Sequence, residues 1–258
     1  MAIITLTSDW GLKDHYAGAV KGVILTKMPE ARIVDISHDI PSFEIEQAAF
    51  VIRNTYPNFP PGTIHILGIN TEESDKFAHT VVEMEGQYFI GTDNGIFSLI
   101  FDRKPDKIVE LTINQESDFF TFSSRDRFVK AAVHLAQGGK IEALGDVKEN
   151  IIEKILLKPV HDNDIVKGHV MYIDSYENII TNISQPFFKE ARKNRKFNIV
   201  FRSYEISRIS RSYTDVAPGE ILALFDSSGY LEIAMNQGNA AGLLGLEVKD
   251  MIRIEFGS

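Results

Sequence analysis

The stretch from Ile3 to Gly22 confines the start of the chain to a strand that turns into a helix. Ile3-Ile4-Thr5-Leu6-Thr7 is short, apolar and rich in β-branched residues, the pattern of a buried strand. Ser8, Asp9 and Gly11 are turn formers, and after them Tyr16, Val20, Val23 and Ile24 recur at helical spacing. A strand that ends in Asp-Trp-Gly before a helix places Asp9 at the carboxyl edge of a sheet. In open α/β sheets that edge is where ligands bind. A carboxylate there suits a ribose, because it accepts hydrogen bonds from two neighbouring hydroxyls. Capping of the helix by Asp9 is the competing reading.

The same alternation continues. Residues 31–36 read as a second strand after Pro29, and residues 37–41 as a loop. Residues 43–56 have helical spacing, with Ser42 as the expected N-cap and Glu46 close to the capping-box position. Pro57, Pro60, Pro61 and Gly62 stop that helix, and residues 63–69 form a third strand ending at Asn70. Residues 70–79 are polar and acidic, a loop. Strands follow at 80–85 and 87–91 around Gly86, then a strong turn signal in Thr92-Asp93-Asn94-Gly95, a strand at 107–111, and a helix at 128–137 closed by Gly138-Gly139. This order predicts an α/β N-terminal domain, residues 1–157, with a mainly parallel sheet and helices on both faces.

Near Pro159 and the polar segment His161-Asp162-Asn163-Asp164 the texture changes, and helical signals nearly vanish. Residues 168–173, 197–201, 205–209, 221–225, 230–234 and 251–256 read as strands separated by turn residues. They predict a smaller all-β, barrel-like C-terminal domain, residues 164–258.

Composition narrows the function classes. A net charge of −9 argues against a nucleic-acid partner, whose phosphates demand Lys and Arg. The basic cluster between Lys189 and Lys196 reads as a solvated face or turn. The absence of cysteine removes disulfides and thiolate metal sites, and the seven histidines never fall into HxH, HxxxH or HExxH spacing, so no metal is expected. No GxGxxG, Walker or GxSxG motif is present, which leaves no expected cofactor. No apolar run approaches the length of a membrane span and no basic, apolar leader opens the chain. A soluble, cytoplasmic protein is the expectation.

Polar clusters sit where strands end: Asp9-Trp10, Asn70-Thr71, Asp93-Asn94-Gly95, Thr121 to Asp126, Asp174 to Asn178, and Ser227-Ser228-Gly229. Each alone is ordinary turn chemistry. Trp10, Phe43, Phe122, Tyr176 and Tyr213 among them belong to the core more often than to a ligand site, but an aromatic slot beside a ribose-binding carboxylate suits an adenosine.

With these motifs assembled, the chain resembles the S-adenosylmethionine (SAM) hydroxide adenosyltransferases and their relatives, the fluorinase and chlorinase. TSDWGLKDHYAGAVKG is similar to the family's opening T-D-x-G-x-x-D-x-Y-x-G-x-x-K-G. IVDISHDIPSFEIEQAAF, FPPGTIH, TDNG, DSYENIITNI and SSGYLEIA match later family motifs, in order, from about Ile3 to the C-terminus. The resemblance implies SAM or adenosine as the small-molecule partner. It also implies a homotrimer whose ligand lies between one subunit's N-terminal domain and the next subunit's C-terminal domain. It implies Asp9 on the ribose, Phe43 and Phe122 lining the pocket, and Tyr176 and Asn178 on adenine. Tyr213, Ser228 and Ala240 fall near positions that contact adenine and the methionine part. Trp10, Asp14, Thr71 and Thr121, which share these motifs and strand ends, are counted with the substrate-binding residues.

The departures bear on the reaction. The hydrolytic branch is expected to activate water with an Asp, an Arg and a His, and these positions hold Asn70, Phe77 and Ser123. Asn70 can orient water but cannot take its proton, and Ser123 is no base near neutral pH. Ser124 keeps the serine with which the halogenase branch holds halide, but that branch's two tyrosines fall at Asn70 and Ser123. The pocket is then wetter than displacement by halide demands. His65 is expected on the opposite strand face. His79, Glu72, Glu73 and Asp75 lie in a loop that could fold over the pocket and are the candidates to replace the missing base; a solvated acidic surface is the competing reading. The expected reaction is hydrolysis of SAM to adenosine and methionine at the 5′ carbon, with Asn70 and Ser123 or Ser124 orienting the nucleophile. A non-catalytic SAM sensor and transfer to halide are the alternatives.

Overall fold

The computed structural model describes residues 2–114 and 121–257. The chain divides into two units, Met1–Leu156 and Leu157–Ser258. In the first unit the order is β1 (Ile3–Ser8), α1 (Tyr16–Lys27), β2 (Arg32–Ser37), α2 (Ile45–Thr55), β3 (Ile64–Gly68), β4 (His79–Met84) and β5 (Gln87–Thr92). Then come α3 (Ile96–Ile100), β6 (Lys107–Leu111), a π-helical turn at Ser124–Phe128, α4 (Val129–Ala136) and β7 (Gly145–Val147). The strands form one sheet in the order β2-β1-β3-β5-β4-β6-β7. β1 runs parallel to β2 and β3, and β3 parallel to β5. From β5 onward the pairings are antiparallel, beginning with the β4–β5 hairpin. Glu85 and Gly86 both take positive φ in that hairpin's turn, which matches the twist of the flanking strands. The sheet is therefore mixed, with its parallel half carrying the strand–helix–strand units.

Helices cover both faces because the strands are apolar on both faces. Ile64 and Ile66 of β3 join Ile4 and Leu6 of β1 against Val20 and Ile24 of α1 and Val129 and Ala132 of α4. Leu67 and Ile69 belong to the opposite layer, with Ala48 and Ile52 of α2 and Phe97 and Ile100 of α3. His65 is fully buried between the Thr5 hydroxyl (2.7 Å) and the Gln87 side-chain carbonyl (2.8 Å), and burial pushes its pKa down to about 4. It is a neutral core residue.

Two helix starts differ from expectation. α1 begins at Tyr16 with His15 at its N-cap, so Asp9 does not cap it. α2 begins after Glu44 rather than at Ser42. Phe43, at φ 68°, has a left-handed backbone that cannot belong to the helix.

The second unit holds β8 (Val160–Asp162), β9 (Ile165–Ile173), β10 (Ile179–Ser184), α5 (Gln185–Arg192), β11 (Phe197–Phe201) and β12 (Tyr204–Ile206). It ends with β13 (Ile221–Phe225), β14 (Tyr230–Met235), α6 (Ala240–Leu244) and β15 (Met251–Phe256). An antiparallel sheet runs β12-β11-β15-β9-β10-β14-β13, with β8 on β9. Past β12, the Ser210 amide donates to the Ala223 carbonyl of β13 (2.7 Å), which nearly closes the sheet into a barrel. The expectation that helices vanish here is corrected by α5 and α6. The Ser184 hydroxyl caps α5 by accepting from the Phe187 amide, and Phe188 and Ala191 enter the barrel core. The basic cluster closes this helix, with the Arg192 and Arg195 guanidinium groups lying over the rings of Phe197 and Phe256. Among the described residues no helix is long and apolar enough to cross a membrane.

Gly68, the last residue of β3, lies beneath Trp10. A Cβ there would stand 2.2 Å from the indole Cζ2. Gly68→Ala is expected to displace the ring at a cost of about 1–3 kcal/mol. Trp10 is the chain's single tryptophan, so its emission reports the displacement directly. A shifted emission with a lower thermal midpoint is the expected result; unchanged values of both would contradict the packing.

Candidate functional site

β1 and β3 end side by side, and the chain leaving each is pinned. The Asp9 amide donates to the Gly68 carbonyl (3.4 Å), the Gly11 amide to the His38 carbonyl (2.7 Å) and the Ile40 amide to the Ser8 carbonyl (3.4 Å). Below them the buried Ser8 hydroxyl meets His38 Nδ1 at 2.6 Å, and His38 Nε2 lies 3.3 Å from Asp35. Burial raises the Asp35 pKa, but the Lys21 ammonium and His38 outweigh it and hold the carboxyl below its ordinary range. Asp9 emerges from this tie, and its Oδ2 accepts the Phe43 amide (3.0 Å). Phe43 thereby keeps a left-handed backbone and a side chain that is 70% exposed. Asn70 is left-handed as well, at φ 46°, and its carbonyl accepts from the Asn94 amide group (3.3 Å). Strained backbone held by its surroundings is a mark of ligand sites.

Asp9, Phe43, Asn70, Thr71, Thr121 and Ser123 line one cleft of about 610 Å³ together with Glu72 and Glu73. The other residues expected on this side stand outside that lining. Trp10 covers Gly68 and meets Phe122 edge-on, with ring centres 5.6 Å apart; Phe122 also packs against Tyr16. Asp14 is exposed in the loop before α1. Ser124 is fully buried at the start of the π-helical turn, and among the described residues its hydroxyl has no hydrogen-bond partner. No group of three or more His, Asp or Glu side chains among the described residues is placed to hold a metal ion.

The second unit carries its own pocket, about 450 Å³, lined by Tyr176, Asn178, Tyr213, Met235, Gln237 and Gly238. Asp174 shapes its rim: Oδ1 accepts the amides of Tyr176 and Asn178, and Oδ2 accepts the Asn178 side-chain N–H. That leaves Asn178 buried and fixed while the Tyr176 ring is 79% exposed. Ser228 lies outside the lining, its amide held by Asp226 in the turn before β14. Ala240 also lies outside it, buried at the start of α6, and the next amide of that helix, Ala241, donates to the Glu177 carbonyl. Sequence reasoning did not single out Met235, Gln237 or Gly238, nor Glu232. The last is buried and accepts the Tyr213 hydroxyl at 2.9 Å. Burial, with Asp174 and Asp226 nearby, pushes the Glu232 pKa up to about 7 against the lowering effect of that hydroxyl.

Family models for the SAM hydroxide adenosyltransferase N-terminal and C-terminal domains match residues 4–145 and 168–253. The chain belongs to the SAM hydroxide adenosyltransferase family. It is 28% identical to the (R)-S-adenosyl-L-methionine hydrolase of Methanocaldococcus jannaschii, over 98% of this chain and 96% of that one. It is 25% identical to the fluorinase of Nocardia brasiliensis, over 99% and 97%. A conserved protein of Thermotoga maritima, known from its crystal structure, superposes with a TM-score of 0.87 at 32% identity, covering 98% of this chain and 99% of that one. This adenosyltransferase-family chain keeps both domains of its relatives.

Glu232 generates a pH prediction for the second unit. Its folded pKa of about 7 stands above the ordinary carboxyl value of 4.5, so the folded state binds the extra proton between these values. That contribution is present below about 4.5 and is lost as pH rises through 7. Glu232→Gln is expected to flatten this part of the stability profile, an effect on the order of 1–3 kcal/mol. An unchanged profile from pH 4.5 to 8 in thermal unfolding would contradict the assignment.

Proposed function

We propose that the protein binds SAM and hydrolyses it to adenosine and L-methionine by displacement at the 5′ carbon. The observation that carries this reading is the cleft at the carboxyl edge of β1 and β3. There the Asp9 carboxylate, fixed through Oδ2, stands beside the neutral polar side chains of Asn70, Thr71, Thr121 and Ser123. A carboxylate accepts the hydrogen bonds of a sugar diol, and amide and hydroxyl groups orient a water without competing as nucleophiles of their own at neutral pH. The wet lining favours water over a halide, which must shed its hydration before it attacks. The pocket of Tyr176, Asn178 and Tyr213 supports adenine recognition: Asn178 offers an amide for a base edge, and the tyrosines offer rings for its face. The family description, SAM hydroxide adenosyltransferase, and the name of the relative (R)-S-adenosyl-L-methionine hydrolase support SAM as the substrate and hydrolysis as the reaction. The homotrimer implied by the resemblance is part of this proposal.

In the reaction the oxygen of water forms a bond to C5′ as the C5′–S bond breaks. The bonding pair returns to sulfur, and methionine departs as a neutral thioether. Because the sulfonium is already a good leaving group, the site must place the water in line and accept its proton.

Purified protein incubated with SAM is expected to release adenosine and methionine in equal amounts, unchanged by added halide. Asp9→Ala is expected to abolish nucleoside binding. A 5′-halo product would replace hydrolysis with halide transfer, and binding without turnover would leave a sensor.

A further inference from the structure

Hydrolysis leaves one requirement unmet by the residues expected from the sequence: a group that takes the proton of the attacking water. Asn70, Thr71, Thr121 and Ser123 cannot do so near neutral pH. The carboxylates lining the cleft are Asp9, Glu72 and Glu73. Asp9 is engaged by the Phe43 amide and is the sugar-binding group of the proposed function.

Glu73 stands apart because the fold builds a support behind it. Its carboxylate is paired with Arg127, and its Oε1 lies 3.7 Å from His79 Nδ1. Arg127 is itself almost enclosed, with its side chain 13% exposed. Its Nε donates to the Ile113 carbonyl (3.0 Å), one terminal nitrogen to the Leu111 carbonyl (3.3 Å), and the other to His79 Nδ1 (2.9 Å). Because Arg127 can only donate, His79 Nδ1 must accept, and the ring hydrogen sits on Nε2. That N–H donates to the Thr71 carbonyl (2.9 Å), which ties the cleft-lining backbone to the same support. Burial, aided by the Arg127 charge, pushes the His79 pKa down against Thr71 and Glu73, so the imidazole stays neutral. His79 is buried and both its nitrogens are engaged, so the ring serves as a brace.

An exposed ion pair is worth little and needs no such scaffold. Here a carboxylate still 42% exposed is held by a guanidinium with several fixed acceptors, on a loop anchored by a buried imidazole. We infer that Glu73 is the proton acceptor for the attacking water, with Arg127 and His79 as its positioning residues. The inference rests on the proposed function. As the O–C5′ bond forms and the C5′–S pair passes to sulfur, the proton of the new 5′ oxygen moves to the Glu73 carboxylate and from there to solvent.

The test uses the full chain with SAM and, separately, with adenosine. Glu73→Gln is expected to lower kcat by about 100-fold or more, with KM and adenosine affinity nearly unchanged and the Trp10 emission and thermal midpoint as in the wild type. Glu73→Asp is expected to recover part of the loss. Arg127→Lys is expected to lower kcat rather than raise KM. Asp75→Asn, on the same loop outside this cleft, is expected to turn over as the wild type does. Wild-type turnover with Glu73→Gln equally active overturns the assignment alone, as does a loss confined to adenosine affinity. Absence of adenosine release from the wild type overturns the proposed function and the inference together.

Discussion

The hydrogen bond between Ser8 and His38, 2.6 Å long and shut away from solvent, is the interaction on which the first cleft depends. A buried hydroxyl and imidazole must find partners or forfeit the free energy of their lost hydration. By satisfying each other they tie the end of β1 to the segment that follows β2. The backbone bonds of Gly11 and Ile40 repeat the tie on either side. Asp9 is thus presented at the sheet edge by a rigid base, and through the Phe43 amide it shapes the opposite wall as well. One acidic side chain therefore serves both as a wall of the cleft and as the residue that fixes the neighbouring loop.

Much of this was legible in the sequence because strand and turn signals are local. The apolar or alternating segments of β1, β3, β11, β13 and β15 stand where the residues predict them, and Asp9 sits at the carboxyl edge that its Asp-Trp-Gly turn implies. The errors came where tertiary context outweighs local pattern. Ser42 looks like a cap, but the bond from Phe43 to Asp9 holds that residue in a backbone that excludes it from the helix, moving the start to Ile45. Strand β10 gives no clear sequence signal because Thr181 and Asn182 interrupt its apolar run; inside the barrel both are buried, bonded to the Leu231 and Leu157 carbonyls. α5 is short and depends on the Ser184 cap and on Phe188 reaching the core, neither of which has a helical period to display.

Site chemistry follows the same division. Replacement of an expected Asp, Arg and His by Asn70, Phe77 and Ser123 is plain in the sequence and suggests a weakened water site. The association of Glu73, Arg127 and His79 is invisible there, because Arg127 lies 54 positions from Glu73 and 48 from His79. The fold brings the guanidinium to the acidic loop where the π-helical turn meets His79: the Phe128 ring stands edge-on to the imidazole and Arg127 donates to its Nδ1. The second pocket divides in the same way: Tyr176, Asn178 and Tyr213 stand at motif positions, whereas Glu232 belongs to a strand whose sequence gives no sign of its bond to Tyr213.

The account stands on a sugar being held at the edge of the first sheet by the carboxylate that leaves β1. The most direct measurement compares adenosine with 2′-deoxyadenosine by titration calorimetry on the intact protein. Removing one of the two hydroxyls is expected to weaken binding by about tenfold, equivalent to about 1.4 kcal/mol. Equal affinity for the two nucleosides would show that no carboxylate grips the ribose diol, and would contradict the central claim.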